Sequence, residues 1–315
     1  MSGRLAIAID LGGTQLRAAL VDGASVLRRA AEATDAAGPD AVLAQMQRLI
    51  AEVRADIAPG ALAGIGISAP GPLDGETGTI LHIPTLEGWE DYPLRARLQA
   101  ATHLGVILEN DGISAAYGEW RHGAGQGLHH LVYVTVSTGI GGGVIADGRI
   151  LHGRRGMAGH VGHFTMAPGG PRCPCGVVGC FEAVASGTAL GKRARSAAAD
   201  YPESALGRSA REGTVDARHV VSAARAGDKV ATALLHEEAA LLGRGFASLV
   251  HLYSPERVIM GGGVSSAFDL MRDEIHRVML DNLMPAFRDV TVVPAGLGEN
   301  AGLVGAAALI QDRGV

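Results

Sequence analysis

The chain has 315 residues, a length that suits one large or two smaller globular domains. Its residues are 47% hydrophobic and 19% charged, a composition that argues against a disordered protein. Its formal net charge of −5 argues against a broad nucleic-acid-binding surface, and no apolar run approaches the roughly 20 residues that a membrane helix needs. The opening MSGRLAIAID is a strand pattern with no signal peptide, so we expect a soluble, cytoplasmic protein.

The first half opens with three apolar segments joined by tight turns. Leu5 to Ile9, Leu16 to Val21 and Ser25 to Ala31 are predicted strands. The glycine-rich turn Asp10-Leu11-Gly12-Gly13-Thr14 joins the first two, and Asp22-Gly23 is a hairpin signal. Later predicted ranges are a helix opened by Pro39 with apolar positions Val42, Met46, Leu49, Val53 and Ile57, a strand at 63–68, a helix at 93–101, a strand at 106–108 and a helix at 112–121.

The second half repeats this plan. Leu131 to Val136 is a predicted strand, Ser137-Thr138-Gly139 a turn, Gly143 to Ala146 the return strand and Asp147-Gly148 a hairpin signal. Later predicted ranges are a third strand from 150, a helix at 183–199, an irregular polar loop at 200–216, a helix at 230–250, a strand at 257–260, a helix at 269–283, a strand at 290–293 and a helix at 300–310. Two such α/β halves predict an internal duplication with a cleft between them. Neither a P-loop nor a dinucleotide fingerprint is present.

Every cysteine of the chain lies in one short loop. The loop contains Cys173, Cys175 and Cys180, and His163 precedes them in the sequence. Together the four residues make a Cys3His set, a common composition for a closed tetrahedral zinc site. The alternative is three ordinary buried thiols, which their confinement to one loop disfavours. Three thiolates leave no open position for water, so we expect a structural zinc and not a hydrolytic one.

The two glycine-rich turns offer a place for phosphate groups. Backbone N–H groups of Gly12 and Gly13 can close on phosphate oxygens and the Thr14 hydroxyl can add a bond, while Asp10 can hold Mg2+ through water. The turn at Thr138 and Gly139 has the same features. The alternative is two glycine-rich hairpins with no ligand.

Asn110 and Asp111 lie where a predicted strand ends and a helix begins. Either residue is a favoured helix N-cap, which is the alternative to a functional role. A carboxylate at the carboxyl end of a strand is also well placed to take a proton from a hydroxyl, and the two roles are compatible.

These motifs together resemble the ROK family of bacterial sugar kinases and sugar-responsive repressors. The resemblance spans nearly the whole chain, and the cysteine block is its most specific part. It rests on Asp10-Leu11-Gly12-Gly13-Thr14, Glu109-Asn110-Asp111, Thr138-Gly139-Ile140-Gly141-Gly142-Gly143, Gly162-His163 with Cys173, Cys175-Gly176, Gly179-Cys180 and Glu182, Gly261-Gly262-Gly263, and Ala301-Gly302-Leu303-Val304-Gly305-Ala306-Ala307.

The resemblance implies a duplicated actin-like, ribonuclease-H-like α/β fold with ATP and Mg2+ in the cleft. It implies a smaller domain of residues 1–115 joined by the helix 299–315, a larger domain of residues 116–298, and a homodimer or tetramer. Asp111 would be the catalytic base, and His163 would serve both zinc and sugar. The implied sugar-binding residues are Gly71, Asn110, Asp111, His160, His163 and Glu182. The implied nucleotide and Mg2+ residues are Asp10, Gly12, Gly13, Thr14, Thr138, Gly139, Gly261, Gly262 and Gly263.

The chain departs from the family pattern at two positions on the sugar side. His160 stands where many family kinases have glutamate, and Thr85 stands where the family often has asparagine. A histidine accepts a hydrogen bond at only one nitrogen. Both departures leave the identity of the hexose open, whereas the phosphate-side motifs are intact.

We therefore expect an ATP-dependent kinase for the primary hydroxyl of a hexose, with glucose as the first candidate. Fructose, mannose, N-acetylglucosamine and N-acetylmannosamine are alternatives. A non-catalytic sugar-sensing protein is a further alternative, which the retained Asp10, Asp111 and Thr138 disfavour. The related repressors carry a DNA-binding domain ahead of the kinase-like part, and the start of this chain leaves no room for one.

Overall fold

The computed structural model describes residues 5–83 and 86–313. The strands are β1 (Leu5–Leu11), β2 (Gln15–Asp22), β3 (Ser25–Ala33), β4 (Leu62–Ala69), β5 (Leu73–Asp74), β6 (Thr79–His82), β7 (Glu90–Tyr92), β8 (Val106–Asn110), β9 (Leu131–Val136), β10 (Ile140–Ala146), β11 (Arg149–Ile150), β12 (Arg257–Gly261) and β13 (Thr291–Pro294). The helices are α1 (Pro39–Arg54), α2 (Leu94–Thr102), α3 (Asp111–His122), α4 (Phe181–Ala185), α5 (Gly187–Asp200), α6 (Ala205–Glu212), α7 (Ala217–Arg225), α8 (Lys229–Tyr253), α9 (Phe268–Asp281) and α10 (Ala301–Arg313).

Two five-stranded sheets share one topology. The first has the order β3-β2-β1-β4-β8 and the second the order β11-β10-β9-β12-β13. In the first sheet β1, β2 and β3 pair antiparallel, whereas β4 pairs parallel with both β1 and β8. In the second, β12 pairs parallel with both β9 and β13. The predicted internal duplication and the α/β class are confirmed.

Strand β1 separates large side chains from small ones. Ile7 and Ile9 face a core that includes apolar residues of α1 and α2, while Ala6 and Ala8 face α10. Side chains alternate between the faces of a strand, so this large-small pattern assigns each face its partner. A side chain at Gly66 on β4 would collide with the Ala306 carbonyl of α10. Helix α10 therefore packs closely because both surfaces are built from small residues.

Helix α1 buries the face that its sequence predicts. Val42, Met46, Leu49 and Val53 are all buried. Their spacing places them on one side of a helix of 3.6 residues per turn. Ile57 lies beyond the end of α1 at Arg54 and packs against the same core from the following segment.

A small sheet was missed by the sequence analysis. Strands β5, β6 and β7 form an antiparallel meander between the strand predicted at 63–68 and the helix predicted at 93–101, where no strand was predicted. Trp89 is buried and meets Tyr92 edge to face, with ring centroids 5.3 Å apart. Strands of two to four residues are too short to show an alternating pattern, so their positions depend on this packing.

The prediction of an irregular loop at 200–216 was wrong. Helix α6 (8 residues) lies in the middle of it, with Ser204 accepting from the Gly207 N–H at its start and Leu206 buried. The predicted helix at 183–199 is instead two helices, α4 and α5, which meet at Ser186. Helix α6 is hard to recognise in the sequence because it is short and Leu206 is its one large buried side chain in a polar segment.

The chain forms two compact units. Unit 1 comprises residues 1–128, 143–159 and 296–315, and unit 2 comprises residues 129–142 and 160–295. The expected boundary after residue 115 falls inside α3, which belongs to unit 1. The domain limits given by the resemblance thus stay a prediction.

A buried carboxylate lies among the helices of unit 2. Glu238 on α8 has no solvent exposure and pairs with Arg193 on α5, whose Nη1 also donates to the Val184 carbonyl at 2.8 Å. The Oε1 atom of Glu238 has no hydrogen-bond partner among the described residues. Burial raises the pKa of Glu238 to about 8 although the Arg193 charge lowers it. Burial prevails because half of the carboxylate lacks a donor.

We predict that Glu238→Gln removes a pH dependence of stability. Between pH 4.5 and about 8 the folded chain holds a proton on Glu238 that the unfolded chain has released. Wild-type stability should fall in this window as pH rises, by up to about 1.4 kcal/mol per pH unit. Urea unfolding of wild type and Glu238→Gln at several pH values measures the difference. Glu203→Gln, an exposed glutamate elsewhere in unit 2, is the control. Curves that run parallel for wild type and Glu238→Gln would contradict the assignment.

Candidate active site and metal centre

The four residues predicted to bind a metal come together in unit 2. One ligand atom from each of His163, Cys173, Cys175 and Cys180 lies within 4.8 Å of the others. Cys173 Sγ is 3.7 Å from His163 Nδ1, and Cys175 Sγ is 3.6 Å from Cys180 Sγ. Zinc–sulfur bonds of about 2.3 Å in a tetrahedron place sulfurs about 3.8 Å apart. The donor set therefore fits a four-coordinate zinc ion.

Hydrogen bonds of the backbone shape the cysteine loop. Cys173 N–H donates to the Val177 carbonyl at 2.8 Å, and Gly176 N–H donates to the Cys173 carbonyl at 2.9 Å. Gly176 and Gly179 have φ values of 92° and 78°, which favour glycine. The tight turn between them brings Cys175 back toward Cys180.

The protonation of the thiols also suits a metal site. Burial raises the pKa of the Cys173 thiol to about 12, and burial also raises the pKa of Cys180. A backbone hydrogen bond from Val177 lowers the pKa of the exposed Cys175. Two buried thiols become thiolates only if a cation compensates the charge, as a bound metal does.

Glu182 connects the cysteine loop to the second glycine-rich turn. Its Oε2 accepts from the Ile140 N–H at 2.9 Å, and its Oε1 lies 3.5 Å from Cys173 Sγ. A side chain at Gly139 would collide with the Glu182 carboxylate. A side chain at 139 would therefore displace the Glu182 carboxylate, whether or not a ligand is bound.

The turn at 137–139 rests on the start of α5. Ser137 and Thr138 accept backbone hydrogen bonds from Gly187 and Thr188, at 2.7 and 3.3 Å. The side chains of Ser137 and Thr138 are exposed. The turn is therefore held from behind, and its hydroxyl groups remain available to a ligand.

The three consecutive glycines at the end of β12, Gly261 to Gly263, differ in what surrounds them. A side chain at Gly261 would collide with the Tyr133 hydroxyl, and one at Gly262, where φ is 85°, with the Val136 carbonyl. Packing within unit 2 explains both. Gly263 has no atom within 4 Å of its added Cβ, so it faces open space.

The first glycine-rich turn lies in unit 1 between β1 and β2. Gly12 N–H donates to the Gln15 carbonyl at 2.9 Å, and the Thr34 hydroxyl donates to the Gly12 carbonyl at 2.7 Å. Gly13 and Thr14 are exposed at the tip. The turn is rigid at its base and presents backbone N–H groups at its tip.

Asp10 has a partner that sequence reasoning missed. Arg17 lies opposite Asp10 in the β1–β2 register, and its Nε and Nη2 both contact Asp10 Oδ2, with Nε at 2.9 Å. Arg17 Nη1 also donates to the Glu299 carbonyl at 3.2 Å. Hairpin register could have revealed the pair, since the turn fixes which residues face each other. Asp10 Oδ1 is the oxygen that faces Gly302 at the start of α10.

Asn110 takes one of the two roles that the sequence left open, that of the helix N-cap. The Asn110 side chain caps α3, accepting from the N–H groups of Gly112 at 3.0 Å and Ile113 at 3.4 Å. Asp111 is exposed in the first turn, and its Oδ1 accepts from Gly112 N–H at 2.7 Å. Gly71 lies beside the Asn110 amide: a Cβ added to Gly71 would be 3.3 Å from Asn110 Nδ2. Asp111 is thus not required as the cap.

Of the two positions where the chain departs from the family pattern, the structure describes one. His160 is exposed, and its ring stacks on that of His163 with centroids 6.2 Å apart. Its carbonyl accepts from the His163 N–H at 3.1 Å. Thr85 lies outside the described residues.

A comparison with known families identifies the chain. The model of the ROK family matches residues 6–313. The chain belongs to the ROK family.

Its ROK relatives include enzymes with assigned sugars. The chain is 37% identical over 98% of its length to the glucokinase of Thermotoga maritima, covering 97% of that protein. It is 34% identical over 97% of its length to the N-acetylmannosamine kinase of Salmonella typhimurium, covering 98% of it. A ROK glucokinase of Streptomyces griseus, solved in complex with glucose and AMPPNP, superimposes with a TM-score of 0.85 at 35% identity, covering 97% of this chain and 98% of that one.

The duplicated fold expected from the resemblance to the ROK family is thus confirmed. Within residues 5–83 and 86–313, no helix combines the length and the apolar character that crossing a membrane requires.

We predict one tightly bound zinc per chain and a loss of metal in Cys175→Ser. A serine hydroxyl is a poor substitute for a thiolate, so metal content and thermal stability should both fall. Elemental analysis and thermal unfolding measure the two quantities. Pro174→Ala, which changes the same loop without removing a ligand, should keep its zinc. Freshly purified wild-type protein without zinc would refute the site.

Proposed function

We propose that this ROK protein is an ATP-dependent hexose kinase that phosphorylates a primary hydroxyl, with glucose as the favoured substrate. The observation that carries the proposal is the exposed carboxylate of Asp111 at the carboxyl end of β8, beside an Asn110 that already caps α3. Support comes from the whole-length similarity to glucokinases, one of them solved with glucose and an ATP analogue.

In the proposed reaction Asp111 is the general base. The sugar hydroxyl donates its proton to the Asp111 carboxylate as its oxygen attacks the terminal phosphorus of ATP. The bond from that phosphorus to the bridging oxygen breaks, and ADP leaves with the electron pair. The Gly112 N–H holds Asp111 Oδ1, which fixes the direction of the carboxylate. A base held in one direction needs no reorganisation when the hydroxyl arrives.

The two glycine-rich turns are the proposed phosphate-binding segments. The exposed tips at Gly13 and Thr14, and at Thr138, offer N–H and hydroxyl donors. Asp10 would hold Mg2+ through its Oδ1, since Arg17 occupies Oδ2. The ion, when bound, neutralises charge on the phosphates. Gly263 faces open space and suits a close approach of the adenosine.

Residues of the cysteine loop are the proposed sugar ligands. His163 Nδ1 faces the Cys173 thiol, which leaves Nε2 to donate to a sugar hydroxyl. Metal on one ring nitrogen fixes the orientation of the other. Zinc would then act structurally, by holding His163 in place. Glu182, Asn110, Gly71 and His160 complete the proposed set.

A second substrate has a specific observation in its favour. The similarity to an N-acetylmannosamine kinase extends over the whole chain at 34% identity, close to the 37% of the glucokinase relative. His160 offers one donor and one acceptor when neutral, so it can pair with an amide carbonyl as well as with a hydroxyl. N-acetylhexosamines therefore belong in the substrate panel.

We also propose that the enzyme acts in the cytoplasm, where ATP is available. The family resemblance further leads us to propose that it forms a homodimer or a tetramer.

We predict that the wild-type protein turns over ATP with glucose and that Asp111→Asn abolishes most of this turnover. Losing a positioned base costs about 10²–10⁴-fold in rate. Asparagine keeps an oxygen for the Gly112 N–H, so the fold and sugar binding should survive. A coupled assay over hexoses and N-acetylhexosamines measures turnover, and calorimetry measures sugar binding. Asp56→Asn is the control for an exposed aspartate in the same unit. Near wild-type turnover in folded Asp111→Asn would remove Asp111 from the mechanism.

We also predict that His160→Glu changes the order of preferred sugars. Glutamate brings two acceptor oxygens, and a buried polar mismatch with a sugar costs on the order of 1–3 kcal/mol. This corresponds to roughly 5- to 150-fold in preference between sugars, with KM moving more than kcat. The same sugar panel measures kcat/KM for wild type and variant, and His160→Gln separates the loss of the ring from the gain of charge. An unchanged order would make His160 a structural residue and shift attention to Thr85.

A further inference from the structure

Glu109 is a buried carboxylate next to the proposed base, and the proposed reaction gives it no role. It is 2% exposed and lies in β8 directly before Asn110 and Asp111. Its Oε1 accepts from the Asn110 N–H at 3.0 Å. A carboxylate taken out of water is costly unless its oxygens receive hydrogen bonds. The position of Glu109 is thus tied to the backbone of Asn110.

The second oxygen of Glu109 is held by a side chain from a distant part of the sequence. His152 Nε2 lies 2.8 Å from Glu109 Oε2, and 43 positions separate the two residues. His152 is about one-third exposed, and its Nε2 lies 3.5 Å from Arg313 Nη2 on α10. Because the carboxylate is the closer group, Nε2 is assigned as the donor to Glu109.

The backbone on both sides of His152 is fixed. Leu151 N–H donates to the Val144 carbonyl, and the His152 carbonyl accepts from Ala158 N–H, both at 2.9 Å. His152 is therefore held by the backbone hydrogen bonds at 151 and 152 and also by the contact of its ring with Glu109. A donor anchored in this way can restrain the carboxylate, and not merely follow it.

We propose that His152 and Glu109 are positioning residues for the base Asp111. His152 Nε2–H orients Glu109, Glu109 fixes the peptide N–H of Asn110, and Asn110 fixes the start of α3, where Asp111 lies. This inference rests on the proposed kinase function and adds residues that do not touch substrate. Misplacing a reacting group by about 1 Å can cost up to about 100-fold in rate, so a restraint two hydrogen bonds away matters.

A matched pair of variants at His152 tests the reach of the donor. In His152→Gln the amide nitrogen can replace Nε2, and in His152→Asn the side chain is one carbon too short. The two are similarly polar and uncharged, and the site is partly exposed, so both should fold. We expect kcat for the sugar kinase reaction to fall about 10- to 100-fold in His152→Asn and less than about 3-fold in His152→Gln. KM for ATP should stay within about 2-fold of the wild-type value in both variants, because the hydrogen bonds of His152 and Glu109 do not involve the proposed phosphate-binding turns.

Glu109→Leu tests whether His152 acts through Glu109. Leucine has no polar atom in its side chain, so the hydrogen bonds to His152 and to the Asn110 N–H are both lost. In this background the difference between His152→Gln and His152→Asn should shrink to less than about 2-fold, since the path is already broken. His129→Ala, an exposed histidine in unit 2, is the control and should match wild type.

Three results would overturn the inference. Equal kcat in folded His152→Gln and His152→Asn would show that donor reach is irrelevant. A difference that persists in the Glu109→Leu background would show that His152 does not act through Glu109. A wild-type protein without sugar kinase activity would overturn the proposed function and this inference with it, whereas the first two results leave the proposed function intact.

Discussion

Carboxylates withdrawn from water organise the functional segments of this chain, because each must receive hydrogen bonds within the protein. Glu109 takes the N–H of Asn110 and the ring of His152. Glu182 takes the N–H of Ile140 and lies beside the Cys173 thiol. In both cases one donor, His152 or Ile140, belongs to a distant segment, so satisfying the charge also fixes where that segment lies.

The same constraint acts at the far end of α3. Glu119 is fully buried and accepts from the N–H groups of Ala124, Gly296 and Leu297 at 2.7 to 2.9 Å. It joins the end of α3 to the segment that leads into α10. Helix α3 therefore has a buried carboxylate at each end, Glu109 just before it and Glu119 near its last turn. Its axis is fixed at two points, which suits a helix that carries the proposed base in its first turn.

Patterns that are local in sequence predicted most of the fold and part of the site. The face of α1, the matching hairpins and the Cys3His loop are all contained within short windows, and each was recognised. The meander of β5, β6 and β7 and the helix α6 were not, since their few buried residues follow no period. The pairs Arg17–Asp10 and His152–Glu109 depend on strand register and chain path. The sequence shows which side chains are ionisable, whereas the fold determines which of them pair.

Helix α10 has a consequence for the synthesis of this protein. It covers the face of the first sheet that carries Ala6 and Ala8, and it is the last described element to leave the ribosome. The N-terminal strands therefore wait, with one apolar face uncovered, until α10 has been synthesised. Strands exposed in this way are prone to aggregate. The alanines of this face reduce that hazard, because they present much less apolar surface to a neighbouring chain than the isoleucines on the opposite face, which α1 and α2 cover early.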